Sequence, residues 1–151
     1  MKKIKTYYLL LVTALSLFVL STFVKKDIKY TLNISDTYYV ISGPDFYKCF
    51  AILTLTLGLI YFVLDQSEVV LKKIFTKVHI FATLLLIATL IFFNYKNNAS
   101  KTIIIGSTIT SHINYGLYVS FNLMILVFLQ FFFLINIFNA QIKNLKNIAA
   151  K

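Results

Sequence analysis

Four long apolar stretches, separated by short polar segments, set the hydrophobic pattern of this chain. They cover residues 7–24, about 44–64, about 74–95 and 115–138, and charged residues stand between them. A hydrocarbon core about 30 Å thick requires roughly 20 apolar residues in an α-helix. Each stretch meets that length or nearly meets it. The pattern therefore predicts an all-α integral membrane four-helix bundle that forms a single domain over residues 1–151.

The composition supports a membrane protein and indicates which kinds of molecule it can bind. Hydrophobic residues make up 59% of the chain and charged residues 13%, whereas soluble proteins carry about 25% charged residues. The formal charge of +10 comes from lysine alone. Nucleic-acid binders rely on arginine for bidentate contacts, and lysines beside apolar stretches suit anionic lipid headgroups. We expect a lipid bilayer as the environment and no nucleic acid as a partner.

The lysines also predict the direction in which the helices cross. With the N-terminus inside, nine lysines fall in inner segments: Lys2, Lys3, Lys5, Lys72, Lys73, Lys77, Lys143, Lys146 and Lys151. The outer segments then hold six: Lys25, Lys26, Lys29, Lys48, Lys96 and Lys101. Because cytoplasmic loops carry the lysine excess, this split predicts a multi-pass protein of the bacterial inner membrane. Both termini would lie in the cytoplasm and Asp36 in an outer loop.

The first stretch has an alternative interpretation as a secretory signal, since lysines at positions 2, 3 and 5 precede its apolar core. Signal peptides end in a small-x-small cleavage site. Residues 20–25 lack a convincing one, and the apolar run is long for a signal. We expect a retained first helix, with cleavage as the alternative.

Local signals mark the start of the second helix and the nature of the last outer segment. Ser42-Gly43-Pro44-Asp45 predicts a serine N-cap, a proline at the first helical position and a carboxylate against the helix dipole. Residues 102–113 are rich in β-branched residues and too short to span a membrane. They predict an extended or re-entrant outer loop.

Few polar residues lie deep inside the predicted spans. The threonines are expected to bond their own helix backbones: Thr54, Thr56, Thr83 and Thr89. Asn122 and Gln130 are expected to link neighbouring helices, and Gly58 to allow a close approach of two backbones. Every charged residue lies near a span end. The chain therefore offers no obvious carrier residue for coupled transport.

One short segment resembles a known family. Asp36-Thr37-Tyr38-Tyr39-Val40-Ile41 resembles the "DTYYVVAHFHY" signature of haem-copper oxidase subunit I. Lys77-Val78-His79-Ile80-Phe81, at the start of the third span, is similar to a "KIHF" segment of that family, and Phe92-Phe93 is placed like its paired phenylalanines. The resemblance implies the last four of twelve helices of a respiratory oxidase subunit, over nearly the whole chain.

The departures from the family decide what the resemblance implies for cofactors. The two haem-ligand histidines of the signature are replaced by Gly43 and Asp45, and neither is a suitable ligand for haem iron. Asp36 matches the aspartate of a magnesium-binding pair, but Ser35 replaces its histidine. The earlier helices that carry the family's copper ligands have no counterpart here. We therefore expect a degenerate haem site, no haem, no copper and no other cofactor.

The candidate functional or packing residues are Asp36, Tyr38, Tyr39, Asp45, His79, Asn122 and Gln130. His79 and His112 are predicted to lie near opposite membrane faces, about 30 Å apart, so they cannot clamp one haem. For His79 we expect a hydrogen-bonded interface residue, with a metal-ligand or proton-relay role as the alternative. The single cysteine, Cys49, excludes an intrachain disulfide and CxxC chemistry.

These observations predict a non-catalytic accessory or interaction protein of a membrane complex, with a membrane-protein partner or a second copy of the chain as the binding partner. The resemblance suggests a respiratory complex. Two alternatives stay open. One is a redox or ligand-binding subunit of a haem-copper oxidase-type complex, whose missing ligands come from another chain. The other is a small channel or permease. Five acids and two dispersed histidines are too few for a hydrolase or zinc site.

Overall fold

The computed structural model describes residues 7–34, 37–67, 69, 71–101 and 115–149, and four α-helices hold most of them. The helices are α1 (Tyr7–Phe23), α2 (Gly43–Gln66), α3 (Lys73–Lys101) and α4 (Tyr115–Ala149). Two strands, β1 (Lys29–Ile34) and β2 (Thr37–Ser42), lie between α1 and α2. The predicted all-α fold class is confirmed, and the strand pair is an element that the sequence analysis did not predict.

Three helices are long and apolar enough to cross a membrane, over Gly43–Gln66, Lys73–Lys96 and Leu117–Ile142. The described part of α1 is a shorter apolar helix of 17 residues. The length and composition of the three longer helices therefore indicate association with a membrane, and the crossing by α1 stays a prediction. The predicted starts of the second and third spans lie within about one residue of the starts of α2 and α3, which is inside the usual uncertainty of helix ends.

Two helices continue beyond the predicted spans. α3 ends at Lys101 rather than near Tyr95, and α4 ends at Ala149 rather than near Phe138. The predicted spans end where each apolar run ends, and the length of such a run matches the thickness of the bilayer core. Helical hydrogen bonds do not require apolar side chains, so α3 and α4 continue through polar residues that suit the membrane surface. The predicted loop over residues 102–113 lies outside the described residues.

The helices bury residues at alternating intervals of three and four. In α1 the buried positions are Tyr7, Leu10, Ala14, Leu17 and Ser21. In α3 the buried positions include Ile80, Thr83, Ile87, Leu90 and Asn94. This spacing keeps one narrow stripe of each helix facing its neighbours and is typical of helices that pack about 20° from antiparallel. Exposed apolar residues cover the other faces, as expected where lipid is the solvent.

Two apolar clusters hold the bundle together, one toward each end, and every helix contributes to both. The hairpin-end cluster contains Leu17, Tyr30, Phe46, Phe50, Ala51, Ile87, Leu90, Val119 and Leu126. The loop-end cluster contains Tyr7, Leu10, Leu57, Tyr61, Ile80 and Phe133. The names refer to the β-hairpin that precedes α2 and to the short connection between α2 and α3. The helices therefore run up, down, up and down.

The β-hairpin is anchored to the bundle by the buried base of β1. The strands pair antiparallel, with Lys29 opposite Ser42 and Ile34 opposite Thr37. Tyr30 is buried, and its ring centroid lies 4.5 Å from that of Phe46 in α2. Burial raises the pKa of the Tyr30 phenol, and neighbouring Tyr47 adds to the effect. Tyr30 therefore holds the hairpin as a neutral aromatic anchor.

Candidate functional site: a buried polar bridge

His79 is the buried ionisable side chain around which the loop-end cluster is organised. It lies in the second turn of α3 and is only 5% exposed. Its ring stacks on Phe133 of α4, with centroids 4.6 Å apart and planes 13° apart. The Tyr61 ring of α2 lies 4.8 Å from Phe133. Three helices therefore meet at one aromatic layer, and the imidazole lies inside it.

Both ring nitrogens of His79 have hydrogen-bond partners, each on a different helix. The Tyr61 hydroxyl on α2 lies 2.9 Å from Nδ1, and Oε1 of Gln130 on α4 lies 3.1 Å from Nε2. The amide nitrogen of Gln130 donates to the Leu126 carbonyl at 3.2 Å, which leaves Oε1 facing the imidazole. Nε2 of His79 must then carry the proton and donate, while Nδ1 accepts from Tyr61.

Both ring nitrogens of a neutral imidazole therefore have a hydrogen-bond partner in this arrangement. We call the three residues Tyr61, His79 and Gln130 the polar bridge. Buried polar groups without partners are costly, and in lipid no water replaces the missing bond. Neither ring nitrogen is left free to bind a metal, because both are occupied by side chains. Within the described residues, no group of three or more His, Cys, Asp or Glu side chains could hold a metal ion.

A second polar contact joins α3 and α4 nearer to the hairpin end. The Asn122 amide donates to the Thr89 hydroxyl at 2.6 Å, and that hydroxyl donates to the Leu86 carbonyl at 2.9 Å. Asn122 and Gln130 therefore both contact α3, as the sequence predicted. Polar contacts of this kind hold helices together where lipid supplies no hydrophobic force between them.

Two buried polar atoms have no hydrogen-bond partner among the described residues. They are the Thr83 hydroxyl and the Oδ1 atom of Asn94, and both residues lie on the inward face of α3. Thr54 and Thr89 bond their own helix backbones as predicted, but the same prediction for Thr83 was wrong. The amide nitrogen of Asn94 does bond the Leu90 carbonyl at 3.0 Å. α3 thus has the most polar inward face among the described helices.

The two α4 amides are expected to differ in their contribution to stability. Gln130→Leu removes the acceptor of the His79 N–H and should lower the free energy of unfolding by about 1–3 kcal/mol, because a buried donor loses its partner. Asn122→Leu should cost only about 0.6 kcal/mol, since the Thr89 hydroxyl keeps its bond to Leu86. The two sites are more than two helical turns apart on α4, so the double variant should be close to additive.

Denaturant unfolding in detergent micelles, followed by circular dichroism, checks this ranking. Phe131→Leu is the matched control, because Phe131 follows Gln130 on α4 and is exposed. A Gln130→Leu variant that unfolds at the same midpoint as Phe131→Leu would show that the polar bridge contributes nothing to stability.

The residues of the oxidase-like segment lie in the hairpin and the first turn of α2, apart from the polar bridge. Asp36 is outside the described residues. Tyr38 and Tyr39 belong to β2, and Tyr39 is 51% exposed. Asp45 lies in the first turn of α2, where its backbone N–H donates to the Ser42 hydroxyl at 3.4 Å and its carboxylate lies 3.5 Å from the Lys48 amine. Ser42 is the N-cap, as the sequence predicted.

Gly43, which the oxidase resemblance aligns with a haem-ligand histidine, is closely packed. The Gly43 N–H donates to the Ile28 carbonyl at 2.7 Å. A Cβ atom on Gly43 would lie 2.6 Å from Cγ1 of Val24 and 3.2 Å from the carbonyl oxygens of Ile28 and Lys25. The start of α2 therefore lies directly against the turn between α1 and β1. Glycine is required at position 43 for close packing, which is a structural role.

The sequence analysis did not identify the aromatic partners of the site. Tyr61 and Phe133 complete its contacts, and only spacing could have indicated them. Tyr61 lies three residues after Gly58, and Phe133 lies three residues after Gln130, so each shares a helix face with a residue that was predicted to point inward. A tyrosine or phenylalanine in a membrane span carries no further signal of its own.

Comparison with known proteins adds no family to this description: neither a protein-family model, nor a curated protein, nor a solved structure matches the chain. The described residues form a helical bundle in which three helices are long and apolar enough to cross a membrane, and interior polar groups join the helices. The likeness to oxidase subunit I is carried by the quoted residues alone.

Proposed function

We propose that this chain is a non-catalytic membrane protein that acts as an accessory or interaction protein of a membrane complex. The observation that carries the proposal is the β-hairpin. Strand β2 contains no charged residue, and its Tyr39 and Val40 side chains are 51% and 59% exposed. Within the described residues β2 pairs only with β1, so its other edge offers backbone donors and acceptors to an extended segment of a partner.

The interior of the bundle supports a structural role for its polar residues. His79, Gln130 and Asn122 make hydrogen bonds between helices, and both nitrogens of the single buried imidazole among the described residues are already bonded. A general base or a metal ligand needs a free nitrogen that faces a substrate or ion. The proposal therefore rests on the hairpin rather than on the interior of the bundle.

Two features bear on the alternative functions. Close packing at Gly43 weighs against a haem held at the start of α2, including one completed by another chain. Charged side chains are absent from the inward faces of the described helices, which weighs against a coupled transporter. The respiratory assignment rests on the sequence resemblance. The bacterial inner membrane and the cytoplasmic termini rest on the lysine distribution.

Site-specific photocrosslinking in intact cells tests the proposal. A photoreactive phenylalanine derivative at Tyr39 is expected to give a discrete adduct, because this side chain projects from the free strand. The same derivative at Leu85, an exposed residue in the middle of α3, is the matched control and should give no discrete adduct. A doubled chain mass would identify a second copy as the partner, and any other mass identifies a different protein.

Absence of a Tyr39-specific adduct would contradict the interaction proposal. A stoichiometric haem Soret band in the purified protein would favour the redox alternative instead. Solute flux across liposomes that contain the purified chain would favour the channel alternative.

A further inference from the structure

The bundle consists of two helix pairs that meet along a seam. Backbones approach closely within the pair α1–α2 and within the pair α3–α4. Across the seam the contacts at the loop end are made by long side chains, chiefly Tyr61 against His79 and Phe133. An interface of this kind can open without unfolding either helix pair, because few backbone contacts cross it.

The hydrogen bond between Tyr61 and His79 crosses this seam and depends on a neutral imidazole. Nε2 donates to Gln130, and Nδ1 accepts from the Tyr61 hydroxyl at 2.9 Å. A protonated imidazole carries a hydrogen on both nitrogens and has no acceptor. The Tyr61 hydroxyl would then have to turn and accept from the Nδ1–H group, which leaves its own hydrogen without the acceptor that it has in the neutral state.

The surroundings of His79 offer no compensation for a positive charge among the described residues. From α2 and α1 the titratable groups in the same cluster are the phenols of Tyr61 and Tyr7. From α4 the neighbours are the Gln130 amide and the Phe133 ring. Lys77 on α3 itself is exposed and positive, and Asp65, one turn after Tyr61, is also exposed. A buried charge without a partner is strongly unfavourable.

We propose that the polar bridge is an acid-sensitive contact: protonation of His79 places an uncompensated charge at the seam, reverses the hydrogen bond to Tyr61 and opens the seam between the two helix pairs at the loop end. This conformational switch is independent of the partner proposed for the hairpin. The closed state holds the neutral imidazole, and the open state exposes it to water, where histidine titrates near about pH 6.5.

The two states differ in whether the imidazole is exposed to water, and this difference fixes the direction in which pH changes the ratio of open to closed molecules. Above about pH 7 both states carry a neutral imidazole, and the closed state is stable. As the pH falls below about 6.5, the open state gains a proton that the closed state excludes. The ratio of open to closed molecules then rises by up to about tenfold for each pH unit.

Distance measurements between spin labels test the proposal on the full chain in lipid nanodiscs. With Cys49→Ser as the background, labels at Val63→Cys on α2 and Phe132→Cys on α4 report the width of the seam, since both residues are exposed near the polar bridge. A longer distance population is expected to grow between about pH 7.5 and about pH 5. The His79→Gln variant, which cannot be protonated, should keep one distribution at both pH values.

His112→Gln is the matched control, because it removes the other histidine and should leave the pH response unchanged. The proposal is overturned if the labelled chain with both histidines shows no pH response. It is also overturned if His79→Gln responds as that chain does, or if His112→Gln abolishes the response. The first of these outcomes does not depend on the folding of any histidine variant.

Discussion

Replacing Gly58 by isoleucine is expected to destabilise the bundle by about 1–3 kcal/mol, because an overpacked interface must shift to fit the added carbons. A Cβ atom at position 58 would lie 2.7 Å from Cδ2 and 3.1 Å from Cγ of Leu11, and 3.4 Å from Cβ of Leu10. Isoleucine adds two branches at that Cβ atom. α1 would have to move away from α2, which would separate the tightest helix pair in the bundle.

The Gly58→Ala variant separates the effect of crowding against α1 from the effect of replacing a glycine inside a helix. One methyl group meets the end of the Leu11 side chain, which can rotate, and alanine favours the helix over glycine by about 1 kcal/mol. We therefore expect the unfolding temperature of Gly58→Ala to be close to that of the unmodified chain and the unfolding temperature of Gly58→Ile to be well below it. Thermal unfolding in micelles, followed by circular dichroism, measures both.

Ala88→Ile is the matched control for this series. Ala88 lies on α3 and is exposed, so its added carbons should enter lipid or detergent without contacting another helix. If Gly58→Ile and Ala88→Ile unfold at the same temperature, α1 and α2 are not in close contact at Gly58.

The helix positions could be predicted because local signals and bilayer length act together. Ser42, Pro44 and Asp45 fix the start of α2 through cap geometry and the helix dipole, and the structure has the N-cap at Ser42. The inward placement of Gly58, Asn122 and Gln130 followed from a general property of membrane helices, which approach each other at small residues and join through amides.

The β-hairpin was not predicted, although its signal is present in the sequence. Residues 29–34 and 37–42 are rich in aromatic and β-branched residues, and the sequence Ser35-Asp36 between them consists of residue types that favour turns. Residues 29–34 alternate polar and apolar side chains, but residues 37–42 do not, so only one of the two strands carries the pattern by which strands are usually recognised. Tyr30, at the base of the hairpin, is buried against Phe46. The likeness to the oxidase signature favoured an outer loop here instead.

The polar bridge could be predicted only in part, because its members come from three helices. His79 and Gln130 were candidates as single polar residues in apolar spans. Their pairing with each other and with Tyr61 depends on the rotation of α2, α3 and α4 about their axes. That rotation is set by tertiary packing of side chains such as Phe133, and hydrophobic length contains no information about it.

Restoring a histidine at position 43 is expected to disrupt the start of α2 rather than to create a haem site. The Cβ atom that Gly43→His introduces would meet Val24 and two backbone carbonyl oxygens. The Ile28 carbonyl accepts the Gly43 N–H, so moving it aside would lengthen that hydrogen bond. We expect a loss of at least about 1–3 kcal/mol in the free energy of unfolding, read as a lower thermal midpoint and a smaller yield of folded protein.

Asp45→His is the matched control, because Asp45 is the other residue that the resemblance aligns with a haem-ligand histidine, and it is exposed. It removes a carboxylate from the helix N-terminus and its contact with Lys48, which should lower the thermal midpoint only slightly because both groups are solvated. The Gly43→His/Asp45→His double variant should bind no added haemin and show no Soret band. Equal stability of the two single variants would mean that α2 does not begin against the α1–β1 turn. A haem-binding double variant would extend the oxidase resemblance from the strand to the site itself.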